Sequence, residues 1–272
     1  MVVREKIIAG AVTFVKVYNR YAPVRGKRAA RTEPTRESVL KINKKNAERD
    51  LSIKLNYNFL PGDIHATLTY AGSEPSREYA KKCLDNFKRK LKGLKWICVT
   101  EYENKRIHHH IVVSGIAAEE VQKIWKHGRI KVSILDGSGD YRKLAEYLIK
   151  ETDKTFRLPT AVSRRRYNCS RSIKNPPVYR EEVKKLSIED DPVVFKGYYI
   201  DKDSIYRGQN LFNERPYLEY VLIAIDPERS RRVKGKKYKY HREPQYEKWL
   251  IMNEAQQELT LEEGADVWTE RH

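Results

Sequence analysis

Lys95-Trp96-Ile97-Cys98-Val99-Thr100-Glu101-Tyr102-Glu103-Asn104-Lys105-Arg106-Ile107-His108-His109-His110-Ile111-Val112-Val113 decides how this chain folds. Residues 95–101 and 107–113 are rich in β-branched and aromatic side chains, and each run predicts a strand. The polar Tyr-Glu-Asn-Lys segment between them predicts a turn that leads back through Arg106, so the two strands make an antiparallel hairpin. Alternate residues of a strand share a face. His108, His110 and Val112 then lie on one side, and Ile107, His109, Ile111 and Val113 on the other.

The hairpin brings Glu101, at the end of its strand, close to His108 and His110. Two neutral imidazoles and a carboxylate suit Mn²⁺, Zn²⁺ or a similar borderline ion. They also accommodate Mg²⁺ when water and phosphate complete its shell. Glu103 has the same parity as Glu101 and competes for the place of third ligand. His109 faces away from the pair and reads as a sheet-packing residue or a support behind the ligands. The plainer alternative is three surface histidines in a hairpin with no metal, and the carboxylate in the turn weighs against it.

Further along, Ser138-Gly139-Asp140 offers a helix N-cap, followed by helical periodicity from Tyr141 to Glu151. Tyr141, Leu144, Ala145 and Leu148 form its apolar stripe, which makes Tyr141 a core residue. Tyr147 lies off that stripe and shares another face with Lys143 and Lys150. Ammonium groups near a phenol favour the phenolate and can neutralise phosphoryl oxygens. A tyrosine exposed on a solvated lysine face is the commoner reading of such a pattern taken alone.

Glu-x6-His-x-His followed by a helix with Tyr-x-x-Lys resembles the HUH endonucleases, and among them the rolling-circle replication initiators of plasmids and phages of Gram-positive bacteria. His65-Ala66-Thr67-Leu68-Thr69-Tyr70 is similar to the first motif of that family. Arg106 to Ile111 is similar to the second, and Ala145 to Lys150 to the third. The three motifs occur in the family's order within residues 65–150. Arg164 to Pro177 and the region of Asn58 and Phe59 have the same look. The resemblance implies that Glu101, His108 and His110 bind a divalent metal (Mg²⁺ or Mn²⁺), that Tyr147 attacks a DNA phosphate, and that Lys150 orients or neutralises that phosphate. The implied product is a 5′-phosphotyrosine with a free 3′ hydroxyl. His109 stands where the family name implies a hydrophobic residue. Tyr141 is six residues before Tyr147 and on a different helix face, so a single nucleophile is expected.

Composition agrees with a polyanionic partner. The 272 residues carry a formal charge of +18, with 34% charged and 40% hydrophobic residues. The 18 tyrosines, interleaved with Lys and Arg, suit stacking on unpaired bases, although many must be sheet residues. Arg164, Arg165, Arg166, Tyr167, Arg171 and Lys174, together with Lys143, are the expected DNA contacts. Cys83, Cys98 and Cys169 have no metal-site spacing, and a reduced cytosolic protein of a bacterial host is expected. No apolar run approaches a membrane span. Met1 to Ala11 has charges within its apolar stretch, unlike a signal peptide. No Gly-x-x-x-x-Gly-Lys loop is present, so duplex opening would fall to a host helicase and synthesis to a host polymerase. Expected substrates are single-stranded or hairpin origin DNA.

The expected fold class is α+β, a central antiparallel sheet flanked by helices with the HUH or RRM-like palm arrangement and additions at both ends. Residues 1–58 read as N-terminal strand and basic helix, residues 59–225 as the catalytic domain with its motif core at 64–151, and residues 226–272 as a basic tail and last helix. Glu37 to Leu55 predicts a helix with Val39, Ile42 and Asn46 on its face. Ala80, Cys83, Leu84, Phe87 and Leu91 form a second helix's stripe. Val193–Ile200 and Tyr217–Ile225 predict two strands that could extend the sheet. Rival readings are a relaxase or single-strand transposase with the same chemistry, a DNA-binding protein without catalysis, and a metal phosphoesterase with no covalent intermediate.

Overall fold

Strand β4 (Lys95–Glu101) and strand β5 (His108–Ser114) form the expected hairpin, with Glu101 opposite His108 and Val99 opposite His110. A computed structural model of the chain describes residues 2–20, 37–102, 106–152, 165–183, 191–209 and 215–227, apart from the side chains of Ser38 and Glu151. Glu103, the basic segment before residue 37, Arg164 and the tail with its expected last helix lie outside the described residues.

The hairpin sits inside a five-stranded antiparallel sheet of order β6-β3-β5-β4-β7. The other strands are β3 (Ile64–Leu68), β6 (Ile130–Ile134) and β7 (Asn168–Cys169). Helix α2 (Arg77–Lys90) joins β3 to β4, α3 (Ala118–Ile124) joins β5 to β6, and α4 (Arg142–Thr152) follows β6. The run β3-α2-β4-β5-α3-β6 is the split βαβ arrangement, in which the strand from the second hairpin partner lies between the two strands of a crossover. The fold is α+β, with a sheet flanked by helices, as the sequence predicts.

Helix α2 forms because Ser76 accepts the Tyr79 N–H at its start and one face is apolar. Ala80, Cys83, Leu84, Phe87 and Leu91 are all buried. Burying each large side chain of that stripe contributes about 1.5–3 kcal/mol. Asp140 accepts the backbone N–H of Arg142 and begins α4. Tyr141, Ala145, Leu148 and Ile149 of that region pack with Leu51, Leu55 and Phe59 against Ile97, Val99 and Val112 of the sheet.

Leu51 and Leu55 belong to helix α1 (Glu37–Asn58), and Phe59 follows it. The expected face of Val39, Ile42 and Asn46 is not the packed one: Ile42 and Asn46 are exposed. The buried residues are concentrated instead at Leu51, Ser52, Ile53, Leu55, Asn56 and Asn58. Two packing partners explain this. Leu51 and Leu55 face the α4 side, while Ile53 joins Ile7, Ala9, Val12, Phe14 and Val221 of a second sheet.

That second sheet has the order β8-β1-β2-β10-β9 and is also antiparallel throughout. Its strands are β1 (Val2–Ala9), β2 (Val12–Asn19), β8 (Val178–Val183), β9 (Tyr198–Gln209) and β10 (Pro216–Ala224). The late strands therefore do not extend the histidine-bearing sheet; they complete the N-terminal hairpin. The expected Val193–Ile200 strand is shifted, beginning only at Tyr198. Gly10 turns the β1–β2 hairpin at φ 60°, and a Cβ there would stand 2.5 Å from Asn56 O. Asn56 is held there because its amide donates to Ser52 O at 2.8 Å and its Oδ1 accepts the Tyr141 N–H at 3.0 Å. The second sheet thus bears on α1, and α1 bears on the start of α4. Arg142 adds a direct link, with its guanidinium 2.7 Å from Asp140 and 2.6 Å from Asp201 of β9.

Candidate metal and tyrosine site

Glu101, His108 and His110 converge as strand parity requires. Their ligand atoms all lie within 4.8 Å of one another, and all three side chains are buried. His108 Nε2 is 3.0 Å from Glu101 Oε2. The far side of each imidazole is tethered. His108 Nδ1 lies 2.9 Å from the Arg106 carbonyl, which can only accept, so this nitrogen carries the proton and Nε2 has the lone pair. His110 Nδ1 lies 3.2 Å from Thr67 Oγ1. With the threonine accepting, His110 Nε2 is likewise left as a ligand atom. Support of this kind behind a ligating histidine sets its tautomer and ring orientation. The donor set and spacing fit a divalent ion bound by nitrogen and oxygen at about 2.0–2.2 Å.

Tyr147 reaches the same place from α4. Its hydroxyl is 3.5 Å from His110 Nε2, and the two rings meet edge to face at 5.3 Å. The side chain remains 40% exposed, so the phenol sits at the rim and not within the core. Lys143 and Lys150 are exposed on the same helix face, one turn before and after it.

His109 goes to the opposite face of the sheet. Its Nδ1 is 2.8 Å from Thr100 Oγ1 and its Nε2 2.8 Å from Tyr70 Oη. The ring is boxed by Tyr70 and Trp125. Burial pushes its pKa down to about 3, so it stays neutral. It is a core histidine with both nitrogens in hydrogen bonds.

The expected DNA contacts divide into groups. Residues 168–169 pair with Cys98 and Ile97 on the outer edge of β4. This register carries Arg165 and Arg166 toward the Glu101 end of β4 and Arg171 and Lys174 toward the Lys95 end. β4 has seven residues, so the two ends are about 20 Å apart. Asn58 fixes the far group: its side chain accepts the Lys174 N–H at 2.9 Å and donates to Lys174 O at 2.8 Å. Tyr167 packs against the core of α1 and α4, and its hydroxyl accepts from Lys54 at 3.1 Å. Arg165, Arg171 and Lys174 lie at the surface with Arg165 and Arg171 exposed, and Arg166 is half-buried.

Two neighbours of the triad were not singled out in the sequence as site residues. His65 stacks on His110 with ring centroids 5.5 Å apart, and burial holds its pKa near 4. Thr67 supports His110. Both lie on β3, opposite Val112 and His110 respectively. The period-2 rule applied to His65-Ala66-Thr67-Leu68-Thr69 places the first, third and fifth residues on the triad's face, a signal available in the sequence. Beside His108 opens a cleft of about 630 Å³, lined by Thr67, Thr69, Tyr70, Arg106, His108 and Arg129 among others.

Residues 63–156 match the model of a protein family described as replication-associated protein, of the ORF2 type. The match runs from the approach to β3 past the end of α4, so it contains the triad and Tyr147. This defines the region as similar to replication-associated proteins, consistent with a rolling-circle replication initiator. No curated protein and no solved structure matches the chain.

Proposed function

We propose that this protein is an HUH-type endonuclease that starts rolling-circle replication by nicking one DNA strand and remaining covalently joined to it. The observation that carries the proposal is the meeting of the Tyr147 hydroxyl with the ring of Glu101, His108 and His110, 3.5 Å from His110 Nε2. The matched family supports a role in replication, and the charge of +18 supports a nucleic-acid substrate.

Glu101, His108 and His110 would hold the divalent cation, Mg²⁺ or Mn²⁺. When bound, it supplies Lewis-acid polarisation of a phosphoryl oxygen and a fixed point for the scissile phosphate. The chain's own residues supply the rest. Tyr147 gives its phenolic proton to water, and its oxygen forms a bond to phosphorus. The bond from phosphorus to the 3′ oxygen breaks, and that oxygen takes a proton. The products are a 5′-phosphotyrosine and a free 3′ hydroxyl that can prime synthesis. Covalent catalysis stores the phosphodiester in an ester of similar energy, so the same site can rejoin strands. Lys143 and Lys150 present ammonium groups on the tyrosine's helix face to neutralise the phosphate.

In this reading the catalytic region is the sheet of β3 to β7 with its helices. The second sheet braces α4 through Asn56 and Arg142. Arg165 and Arg166, with Arg171 and Lys174 further along, contact the DNA backbone, as Arg164 would beside them. A phosphate in plain duplex is poorly presented to a recessed triad, which favours single-stranded or hairpin origin DNA. The setting is the cytoplasm of a bacterial host that supplies helicase and polymerase.

The test uses the full chain, Mn²⁺ and a random-sequence single-stranded DNA library labelled at the 3′ end. A protein–DNA adduct stable to denaturation is expected, absent with EDTA and absent in Tyr147→Phe. An adduct of equal yield in Tyr147→Phe would contradict the proposal.

A further inference from the structure

Resting on the nicking reading above, we infer that the cleft beside His108 binds the DNA on the 5′ side of the scissile phosphate, the strand that leaves with the 3′ hydroxyl, and that Arg106 and Arg129 hold its backbone.

The argument begins with direction. In phosphoryl transfer the attacking and leaving oxygens are roughly in line through phosphorus. Tyr147 attacks from α4, which packs over β4 and α1. The cleft opens on the other flank of the triad. Its walls are the end of β3 and the following turn, the residues leading into β5, and Arg129 before β6, and no residue of α4 lines it. A leaving oxygen that departs away from Tyr147 therefore departs toward this cleft. The nucleotides attached to that oxygen must occupy it.

The lining suits a single strand. Arg106 and Arg129 supply two guanidinium groups, and Thr67 and Thr69 supply hydroxyls. Guanidinium forks bind phosphate oxygens in pairs. Lys131, exposed on β6 and directly opposite Thr67, continues the cationic row along the same sheet face.

The arginines are also held in place from behind. Arg106 donates to Gly72 O across the cleft. The Arg129 carbonyl accepts both the Thr69 N–H and the Thr69 hydroxyl at 2.9 Å. Ala71 N–H donates to His127 O at 2.9 Å, and Trp125 Nε1 donates to Thr69 O at 2.9 Å. This close approach needs a glycine between the two ladder contacts. A Cβ at Gly128 would lie 2.3 Å from Thr69 O and 2.7 Å from Ala71 N. The segment carrying Arg129 is thus laced to the end of β3, a few residues from the His110 support.

The nick sequence is first read by sequencing the DNA in the wild-type adduct. Fluorescein-labelled single strands with that sequence are then trimmed from either end. Their affinities are measured by anisotropy in the Tyr147→Phe background, so that no strand is cut. Arg106→Ala combined with Arg129→Ala is expected to weaken the full-length strand about tenfold and to lower the magnitude of its salt slope by about 1.4. On a strand lacking the nucleotides 5′ of the nick, the variant and its parent are expected to bind alike. Arg106→Ala combined with Arg129→Lys keeps one of the two charges and is expected to restore half of the lost salt slope. A penalty that survives 5′ trimming, or vanishes on 3′ trimming, overturns the inference. So does the lysine-bearing variant binding as weakly as the double alanine variant with a native circular dichroism spectrum. An adduct that forms on Tyr147 alongside any of these results leaves the nicking reading standing; no wild-type adduct at all removes both.

Discussion

Three consecutive histidines on β5 meet two different environments. His108 and His110 face α4, with Glu101 and Thr67 around them and a tyrosine hydroxyl at the rim. His109 faces α2 and α3, enclosed by Tyr70, Trp125 and Thr100. The residue type is the same, and so is the strand. What differs is the cover. On one face the nitrogens that point outward from the supports remain as ligands. On the other both nitrogens are consumed by hydroxyls, and the ring becomes part of the core. The chemistry of a histidine here is set by what its second nitrogen is given, and strand parity decides which histidine receives which cover.

The largest expected effect tests the ligand face. His108→Ala or His110→Ala is expected to weaken Mn²⁺ binding by more than about 100-fold, measured by isothermal titration calorimetry. His109→Ala should leave the stoichiometry at one ion. Equal losses at His109 and His110 would erase the distinction between the faces.

The same His109→Ala variant tests the packing face. It leaves a cavity and the Tyr70 and Thr100 hydroxyls without their partner, and is expected to cost about 2–4 kcal/mol in urea unfolding. A loss under about 0.5 kcal/mol, the size of a surface substitution, would mean the ring is not core. Thr67→Val sharpens the first point. It removes only the support of His110, so Mn²⁺ affinity should fall about tenfold while stability changes little.

The smallest expected effect probes how dry the packing face is. Cys98 lies opposite Ile111 on that face, and burial pushes its thiol up from 9.0 to about 11. A folded-state pKa above the unfolded one gives stability that is full below about pH 9. It is lost as pH rises toward 11, because the unfolded chain releases the proton first. Each pH unit in that window costs about 1.4 kcal/mol. Cys98→Ala should flatten the fall in melting temperature between pH 9 and 11 relative to wild type, and a parallel fall in both would show the thiol to be wet.

Much of this comparison was legible in the sequence, because period 2 on a short strand is a strong signal. The hairpin, the α2 stripe, the N-cap of α4 and the separation of Tyr141 from Tyr147 all follow from local spacing. The second sheet was not legible in the same way. Tyr-Arg-Glu-Glu in β8 and Asp-Lys-Asp in β9 are edge-strand sequences, exposed for most of their length, so no alternation marks them. The face of α1 was misread for a related reason. A helix wedged between two sheets buries nearly every residue of its last turns, and the one-sided periodicity that guides a reading disappears. Arg106 and Arg129 were overlooked as neighbours because they come together only through the lacing of residues 127–129 to the end of β3, a contact that no spacing encodes.

The central claim is that a phenol on a helix and a buried ligand triad on a sheet act on one phosphate. Mass spectrometry of the DNA-linked tryptic peptide tests it most directly. With Mn²⁺ present, the nucleotide should be found on Tyr147, and its yield should collapse in His110→Ala while persisting in His109→Ala. A nucleotide attached to any other residue, or an undiminished yield on Tyr147 in His110→Ala, would contradict it.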